Sequence, residues 1–426
     1  MQRVIGIDFG TTNSVMAVLE PDGTTHTASF GPDLLATFRT VLCFWSDEDK
    51  GRRTLHSAAG PAAIEAYLDD PLDSRLIMSM KSYLAQRSFT QTTLFGRNVT
   101  LEQLIAIFLR AFLAASGVDV EGARIVAGRP VKFVGERADD AFGDERLRAG
   151  FAAAGMTDIE IAFEPEAAGY RFARGLNTAA NVLIGDFGGG TSDFSIVRFD
   201  GGHVTPLATT GVGIAGDAFD FRIIDHVISP LLGKGDTYRP GGQLSGGKNA
   251  VALPVPPEYF TAFARWHRLS LMKAPKTMRD ISEVAATATH PERLRGLLKL
   301  IEDEMGYQLY QIVSATKAAL SRAESARLEF HHENIHIDTT ITRAEFERWI
   351  APDIARMSDA VDRALVEGGM QASDIDHVFL TGGTSFVPAV RDMFARRFGA
   401  EKVSTGGEFV SVAEGLALIG RDRLTA

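Results

Sequence analysis

GIDFGTTNSV at Gly6–Val15 and IGDFGGGTSDFSI at Ile184–Ile196 read alike. Each starts as a β-branched run, Val4, Ile5 and Ile7 in one and Val182, Leu183 and Ile184 in the other, reaches an aspartate and breaks into a glycine–threonine turn. Apolar alternation then resumes, which predicts a β-hairpin with a tight tip. A tip without bulky side chains leaves backbone N–H groups open to an anion, and threonine hydroxyls add donors beside them. Asp8 and Asp186 would repel phosphate unless a hard cation lay between, and Mg²⁺ held by one or two carboxylates, waters and phosphate oxygens is the usual arrangement. Two such tips facing each other would clamp one nucleotide tail. Asp-x-Gly alone is an ordinary turn signal; the recurrence of strand, aspartate and glycine–threonine tip together points to a duplicated phosphate clamp.

The 426 residues leave room for roughly two to four domains. Apolar residues make up 45% of the chain, too many for a largely disordered one, and 44 basic against 54 acidic residues give a net charge of −10. That balance argues against nucleic acid as the main partner. Cys43 is the one cysteine, so neither an internal disulfide nor a cysteine metal cluster can form, and its apolar setting (TVLCFW) predicts a buried bystander. The chain enters a strand by residue 4 without a signal-peptide core, and no uncharged apolar run approaches about 18 residues; a cytoplasmic protein without a membrane partner is expected.

After the first tip, residues 19–60 alternate short strands and turns, and Lys81 stands alone in the methionine-rich stretch RLIMSMKSYL. Thr100 with Gln103 gives a capping-box pattern, and Leu101, Leu104, Ile105, Phe108, Leu109 and Phe112 recur at helical spacing. A strand at Arg124–Ala127 leads into GRPVKF, a polar helix follows, and Glu164-Pro165 starts another. Residues 229–257 are rich in glycine and proline and read as a loop. A long helical region is expected over 258–328, then a strand, a TGGTSFVP turn and a last apolar helix at Val412–Ile419.

GIDFGTTNS, the lysine in MKSYL, the proline in GRPVKF, FEPEAAGY, GDFGGGTSDFS, GIAGDAFD, ATKAALS and FLTGGTSFVP stand in the order found in the ATPase domain of the seventy-kilodalton heat-shock chaperones. The chain resembles that family over essentially its whole length, most of all the short, YegD-like members that stop after the ATPase domain. The resemblance implies an α/β, actin-like ATPase fold of two lobes, each on a ribonuclease-H-like mixed sheet, with nucleotide in the cleft between them. Lobe I would be residues 1–178, closed by a C-terminal helix at 408–426. Lobe II would be 179–407, with an outer lid at about 222–312 and an adenosine turn at 379–388. It also implies a slow, Mg²⁺-dependent ATPase with ATP and ADP as ligands, a chaperone-like switch without a substrate-binding domain that serves a protein partner.

Carried over residue by residue, Asp8 and Asp186 would hold Mg²⁺ through waters. Gly10, Thr11, Thr12 and Asn13 would contact the phosphates, with Gly188, Gly189, Gly190 and Thr191 closing from the other side. Lys81 would position the attacking water, Glu164, Asp193 and Thr191 would orient it and the metal's hydration shell, and Pro130 resembles the family's interlobe switch. Phosphoryl transfer is catalysed mostly by placement and electrostatics, which suits such a set. The nucleoside side departs from the family. Gly216, Asp217, Lys317, Ser321, Gly382, Gly383 and Thr384 match, whereas Ser314 replaces a glutamate, Ala318 an arginine and Phe386 a second arginine. Phe386 can still stack on adenine. With ribose hydrogen bonds lost, ATP is expected to bind about 10-fold more weakly than to full-length chaperones if the loss totals about 1.4 kcal/mol; titration calorimetry giving a sub-micromolar dissociation constant would refute this.

Three strings mimic other sites. GVGIAG (Gly211–Gly216) lacks a βαβ setting with an acidic residue about twenty positions on, and fits better as the family's second-lobe nucleotide loop. GQLSGGKN (Gly242–Asn249) ends in asparagine where a P-loop needs Ser or Thr. HHENIH (His331–His336) reads as an exposed strand. Two other functions remain open: a small-molecule kinase of the same superfold, which would need an acceptor pocket with its own base, and a non-catalytic or filament-forming actin relative.

Overall fold

Val4–Asp8 (β1) and Asn13–Leu19 (β2) form the first hairpin, and Ala180–Phe187 (β6) and Ser192–Asp200 (β7) the second, both antiparallel. The computed structural model describes residues 2–49, 52–70, 72–133, 138–173, 178–200, 203–240, 251–264, 269, 272–333, 335–405 and 410–425. Around each hairpin a sheet of the same order has grown. In the first, Thr25–Thr27 (β3) adds antiparallel to β2, while Arg124–Arg129 (β4) and Ile159–Phe163 (β5) add parallel beyond β1, giving β5-β4-β1-β2-β3. In the second, His203–Val212 (β8) adds antiparallel to β7, and His377–Thr381 (β9) and Val403–Thr405 (β10) add parallel beyond β6, giving β8-β7-β6-β9-β10. The motif duplication is therefore a duplication of a five-strand order, to which Phe38–Arg39 adds a sixth strand beside β2 in the first sheet, and the order is the ribonuclease-H-like one expected.

Alternation along β1 and β4 decides what each face packs. Ile5, Ile7, Ile125 and Ala127 join one core with the helix Leu101–Ser116 (α1) and its Leu104, Ile105, Phe108 and Phe112; Val4 and Val126 join another with Val182, Ile184 and Leu416. Thr100 caps α1 in a full capping box with Gln103, as its sequence predicts. On the other face the close partner is the last helix, Ser411–Thr425 (α6), which lies so near β1 that a methyl on Gly6 would meet Ala413 O at 2.0 Å. The helix Glu164–Ala173 (α3) runs from β5 to the second sheet and crosses α6. Cys43 is fully buried, as expected. Asp140–Ala153 (α2), Arg343–Glu367 (α4) and Pro388–Phe398 (α5) complete the helices that alternate with the parallel strands.

The chain forms two compact units, Met1–Gly213 with Met357–Ser385 and Val390–Ala426, and Ile214–Arg356 with Phe386–Ala389. Both sheets lie in the first. The second is mainly helical, with Gly216–Ile223, Pro275–Ala286, Pro291–Glu302 and Gly306–Leu320, and carries a hairpin of Ser325–His332 and Ile335–Thr342. The long helical region expected over 258–328 is thus broken, with Pro275 and Pro291 each opening a new helix. It also ends sooner: Ser325–His332 alternates exposed and buried with period two and is a strand. Within 229–257, one helical turn at Ser229–Leu231 and a short ladder of Thr237–Tyr238 with Leu253–Pro254 are formed; the string at 242–249 lies outside the described residues.

Candidate phosphate and metal site

Asp8 is the last and Asp186 the last but one residue of the central strand of its sheet, and a phenylalanine follows each. Phe9 packs against Phe108, and Phe187 against Phe194 and Phe394, so the backbone leaving either aspartate is nailed into the core. The first tip cannot relax: a methyl on Gly10 would meet Asn13 O at 2.0 Å. Thr12 O accepts Thr40 N at 2.9 Å, Ser14 Oγ meets Thr40 Oγ1 at 2.8 Å, and Arg39 donates to Asn13 Oδ1 at 3.3 Å. In the second tip Gly188 N donates to Thr191 O at 2.9 Å and Thr191 Oγ1 to Asp193 Oδ2 at 3.3 Å. The tips touch. A methyl on Gly189 would come 2.7 Å from Thr12 Oγ1, so only a glycine lets them approach this closely.

Lys81 sits on a short 3₁₀ turn, Met80–Tyr83, that follows Ser79 in the left-handed region at φ 57°. Met80 and Leu84 are buried beneath it, and the ammonium reaches Glu164 Oε1 at 2.6 Å; Lys81 and Glu164 are each 9% exposed. Glu164 opens α3 where β5 ends, and Gly128 of β4 leaves room for it, since a methyl there would lie 2.9 Å from Glu164 Cγ. Asp193 faces Asp186 across the β6–β7 pair.

Four carboxylates, Asp8, Glu164, Asp186 and Asp193, share this region with one ammonium. Burial raises the carboxyl pKa of Asp186 to about 8, with Asp8, Asp193 and Glu164 adding to it and Lys81 opposing. Burial likewise lifts Asp8 to about 7 and Asp193 to about 6, with Lys81 lowering both. Burial disfavours the Lys81 charge too, but Glu164, Asp8 and Asp186 outweigh it and its pKa rises, so it stays an ammonium. Such uncompensated negative charge calls for a cation. Among the described residues no three His, Cys, Asp or Glu side chains converge to ligate a metal directly. Buried carboxylates are hard oxygen donors, the chemistry that suits a hydrated Mg²⁺, which keeps most of its waters.

Arg146 is a buried positioning residue that carries no signal in the sequence. It is 4% exposed, pairs with Glu102, and donates to Tyr83 O at 3.3 Å and Phe89 O at 2.9 Å, tying α1 and α2 to the segment that follows Lys81. A polar helix gives no hint of it. Arg146→Ala is expected to destabilise the protein by about 3 kcal/mol, because it leaves two partly buried carbonyls and Glu102 without their donor. Arg146→Lys should recover little, lacking the planar fork. Urea unfolding curves would measure both.

Arg129 lies over the rings of Phe133 at 5.0 Å and Phe163 at 5.5 Å and donates to Pro130 O at 3.1 Å, holding the proline that ends β4. In the second unit Gly216 and Asp217 open a helix. Lys317 Nζ donates to Gly216 O at 3.1 Å and pairs with Asp220 at 2.9 Å, Ser321 Oγ donates to Lys317 O at 3.3 Å, and Tyr310 OH to Asp217 Oδ1 at 2.8 Å. Asp220, the last residue of GIAGDAFD and without a role assigned from the sequence, is 1% exposed; burial pushes its carboxyl up to about 6 against Lys317. Phe386 of that unit is half-buried. In the first unit Gly382 sits at φ 86° against Phe187 O, where a methyl would come within 2.1 Å; Ser385 Oγ donates to its carbonyl at 2.6 Å. Gly383 is exposed and Thr384 buried.

A family model for the Hsp70 protein matches residues 144–235 and 298–421, just over half of the chain. Those blocks contain Glu164, the second tip, Lys317, Ser321 and Gly382–Thr384; Asp8, the first tip and Lys81 precede them. Over 98% of its own length the chain is 25% identical to the chaperone protein dnaK of Cyanidioschyzon merolae (strain NIES-3377 / 10D), and it spans 61% of that curated relative. Among the described residues no helix is long and apolar enough to cross a membrane. The chain belongs to the Hsp70 family, and its α/β architecture of two like-ordered sheets is the actin-like ATPase fold of that family.

Proposed function

We propose that this protein binds ATP and hydrolyses it slowly to ADP and phosphate, as a nucleotide-controlled switch that passes a change of shape to a protein partner. The observation that carries the reading is the buried Lys81–Glu164 pair set among Asp8, Asp186 and Asp193 beside two touching glycine–threonine tips. Backbone N–H groups and hydroxyls of Gly10–Asn13 and Gly188–Thr191 bind the phosphates. Asp8 and Asp186 hold a hydrated Mg²⁺, which when bound offsets charge on the phosphate oxygens. Lys81 has two N–H donors beyond the one given to Glu164, and uses them to orient a water and to steady charge developing on the phosphoryl oxygens. Asp193, near pKa 6, is poised to accept the proton of that water at neutral pH. Lys317, Ser321, Gly216, Asp217, Gly382–Thr384 and Phe386 serve the nucleoside. Lobes of residues 1–178 with 408–426, and 179–407, are proposed as the moving bodies, with Pro130 relaying between them. A cytoplasmic address goes with this reading.

The raised carboxyl pKa values give a test with a defined sign. A folded state that keeps protons the unfolded chain has released loses stability as pH rises from the unfolded value near 3.9 through the folded values of about 6 to 8. The metal-free melting temperature is expected to fall between about pH 5 and about pH 8.5, and Mg·ADP to flatten that slope. Asp186→Asn removes the most perturbed charge: at pH 8 the metal-free variant should melt above the wild type while its ATP hydrolysis is lost. A variant that hydrolyses ATP at the wild-type rate would overturn the proposed role.

A further inference from the structure

We propose that His331 and His336, outside the nucleotide machinery, form a two-imidazole site for a divalent transition metal of the zinc class. They stand directly opposite each other on the hairpin Ser325–His332/Ile335–Thr342. Leu328, Phe330, Ile335 and Ile337 pin the inner face of that hairpin, all buried, while Arg327, Glu329, His331, His336 and Asp338 share the outer face. The backbone under the pair is thus rigid and the rings are open to solvent, which is what a preorganised surface site requires.

The ring geometry points to a metal. His331 Nδ1 and His336 Nδ1 are 3.3 Å apart. Two imidazole nitrogens bound at about 2.0–2.1 Å to a tetrahedral zinc stand about 3.3 Å apart, so the two nitrogens already have the separation of a zinc-bound pair. A neighbour sets the tautomer of the neutral ring as well. His331 Nε2 lies 3.1 Å from Glu329 Oε1, and an ionised carboxylate only accepts, so Nε2 carries the hydrogen and the neutral ring turns its lone pair at Nδ1 towards His336. A carboxylate–histidine–metal relay of this kind orients the ligand and raises its basicity. Arg327 pairs with Asp338 at 2.7 Å and with Glu329 at 3.2 Å, so Glu329 is held in place beside His331. His332 points elsewhere, to Asp303 at 2.6 Å. Two protein ligands leave two positions for water or for a side chain from a partner, an open site of the kind that exchanges its remaining ligands.

The experiment is calorimetric titration of the tag-free full chain with Zn²⁺ alone, in excess Mg²⁺ so that the carboxylate cluster is occupied. The wild type is expected to bind one equivalent. His331→Ala and His336→Ala should each lose at least about 10-fold in affinity, and Glu329→Gln about 10-fold, the usual cost of a lost outer-shell partner. Zn²⁺ should raise the melting temperature of the wild type and not that of either histidine variant. Absence of saturable binding by the wild type, or affinity unchanged in both histidine variants, would overturn the site. ATP hydrolysis need play no part in the result.

Discussion

Lys81→Ala is expected to lower the rate of ATP hydrolysis by about 100- to 1000-fold, the usual cost of removing a preorganised donor to a developing charge. The loss should fall on turnover, with ADP binding changed far less, because the proposed phosphate tips, Gly10–Asn13 and Gly188–Thr191, are left intact. Two effects add. The donor to water and phosphate disappears, and Glu164 loses the ammonium at 2.6 Å that keeps a carboxylate tolerable in a buried place. Asp8, Asp186 and Asp193 lose the same attraction, so their carboxyls rise further, and Asp8 and Asp186 would hold the proposed metal less well. Glu164→Gln separates the two: it keeps Lys81 and lowers the negative charge, so its turnover should fall less and its metal-free protein should be more stable at pH 8. Single-turnover hydrolysis with parallel ADP titrations measures both variants. A Lys81→Ala protein that hydrolyses ATP at the wild-type rate would remove Lys81 from the mechanism.

How far the sequence spoke differs between hairpins and helices. Both tips, their aspartates and the strands feeding them are legible because strand, charge and glycine lie within ten residues of one another. Glu164 and Thr100 are legible for a similar reason: Glu-Pro and Thr-x-x-Gln announce helix starts locally. Pairings over long separations are not written in that way. The Lys81–Glu164 bond spans 83 residues and the Arg146 contact with Tyr83 spans 63, and nothing in RLIMSMKSYL or in the polar helix marks the partner. The phenylalanines after each aspartate could have been found, since D-F-G occurs in both tips, but their anchoring role depends on Phe108 and Phe394, far along the chain. The expected helical region overlaps the strand at Ser325–His332, whose period of two is the sign that separates it from the helices before it.

Gly415 tests whether the crossing of α3 and α6 holds the two sheets' machinery together. Taken as a helix residue alone, Gly415→Ala should stabilise by about 1 kcal/mol, since alanine loses less backbone entropy. The crossing reverses the sign. A methyl at Gly415 would come 1.9 Å from Ala167 O and 2.9 Å from Ala167 Cα, backbone atoms that no rotamer can move aside. With overpacking of this severity at or above the usual range of about 1–3 kcal/mol, Gly415→Ala is expected to be net destabilising by about 2–3 kcal/mol. Gly213→Ala, where nothing lies within 4 Å, serves as the control and should stay within about 0.5 kcal/mol. Gly6→Ala drives a methyl into the opposite side of the same helix, at Ala413 O. Because one shift of α6 cannot relieve both clashes, the double variant should lose more than the sum of the singles, a coupling that urea unfolding resolves. Activity below the melting temperature should fall too, since α6 touches both β1, which ends in Asp8, and α3, which begins with Glu164. Were Gly415→Ala to match or exceed wild-type stability, the close crossing would have to be abandoned as the element that fixes Asp8 against Glu164.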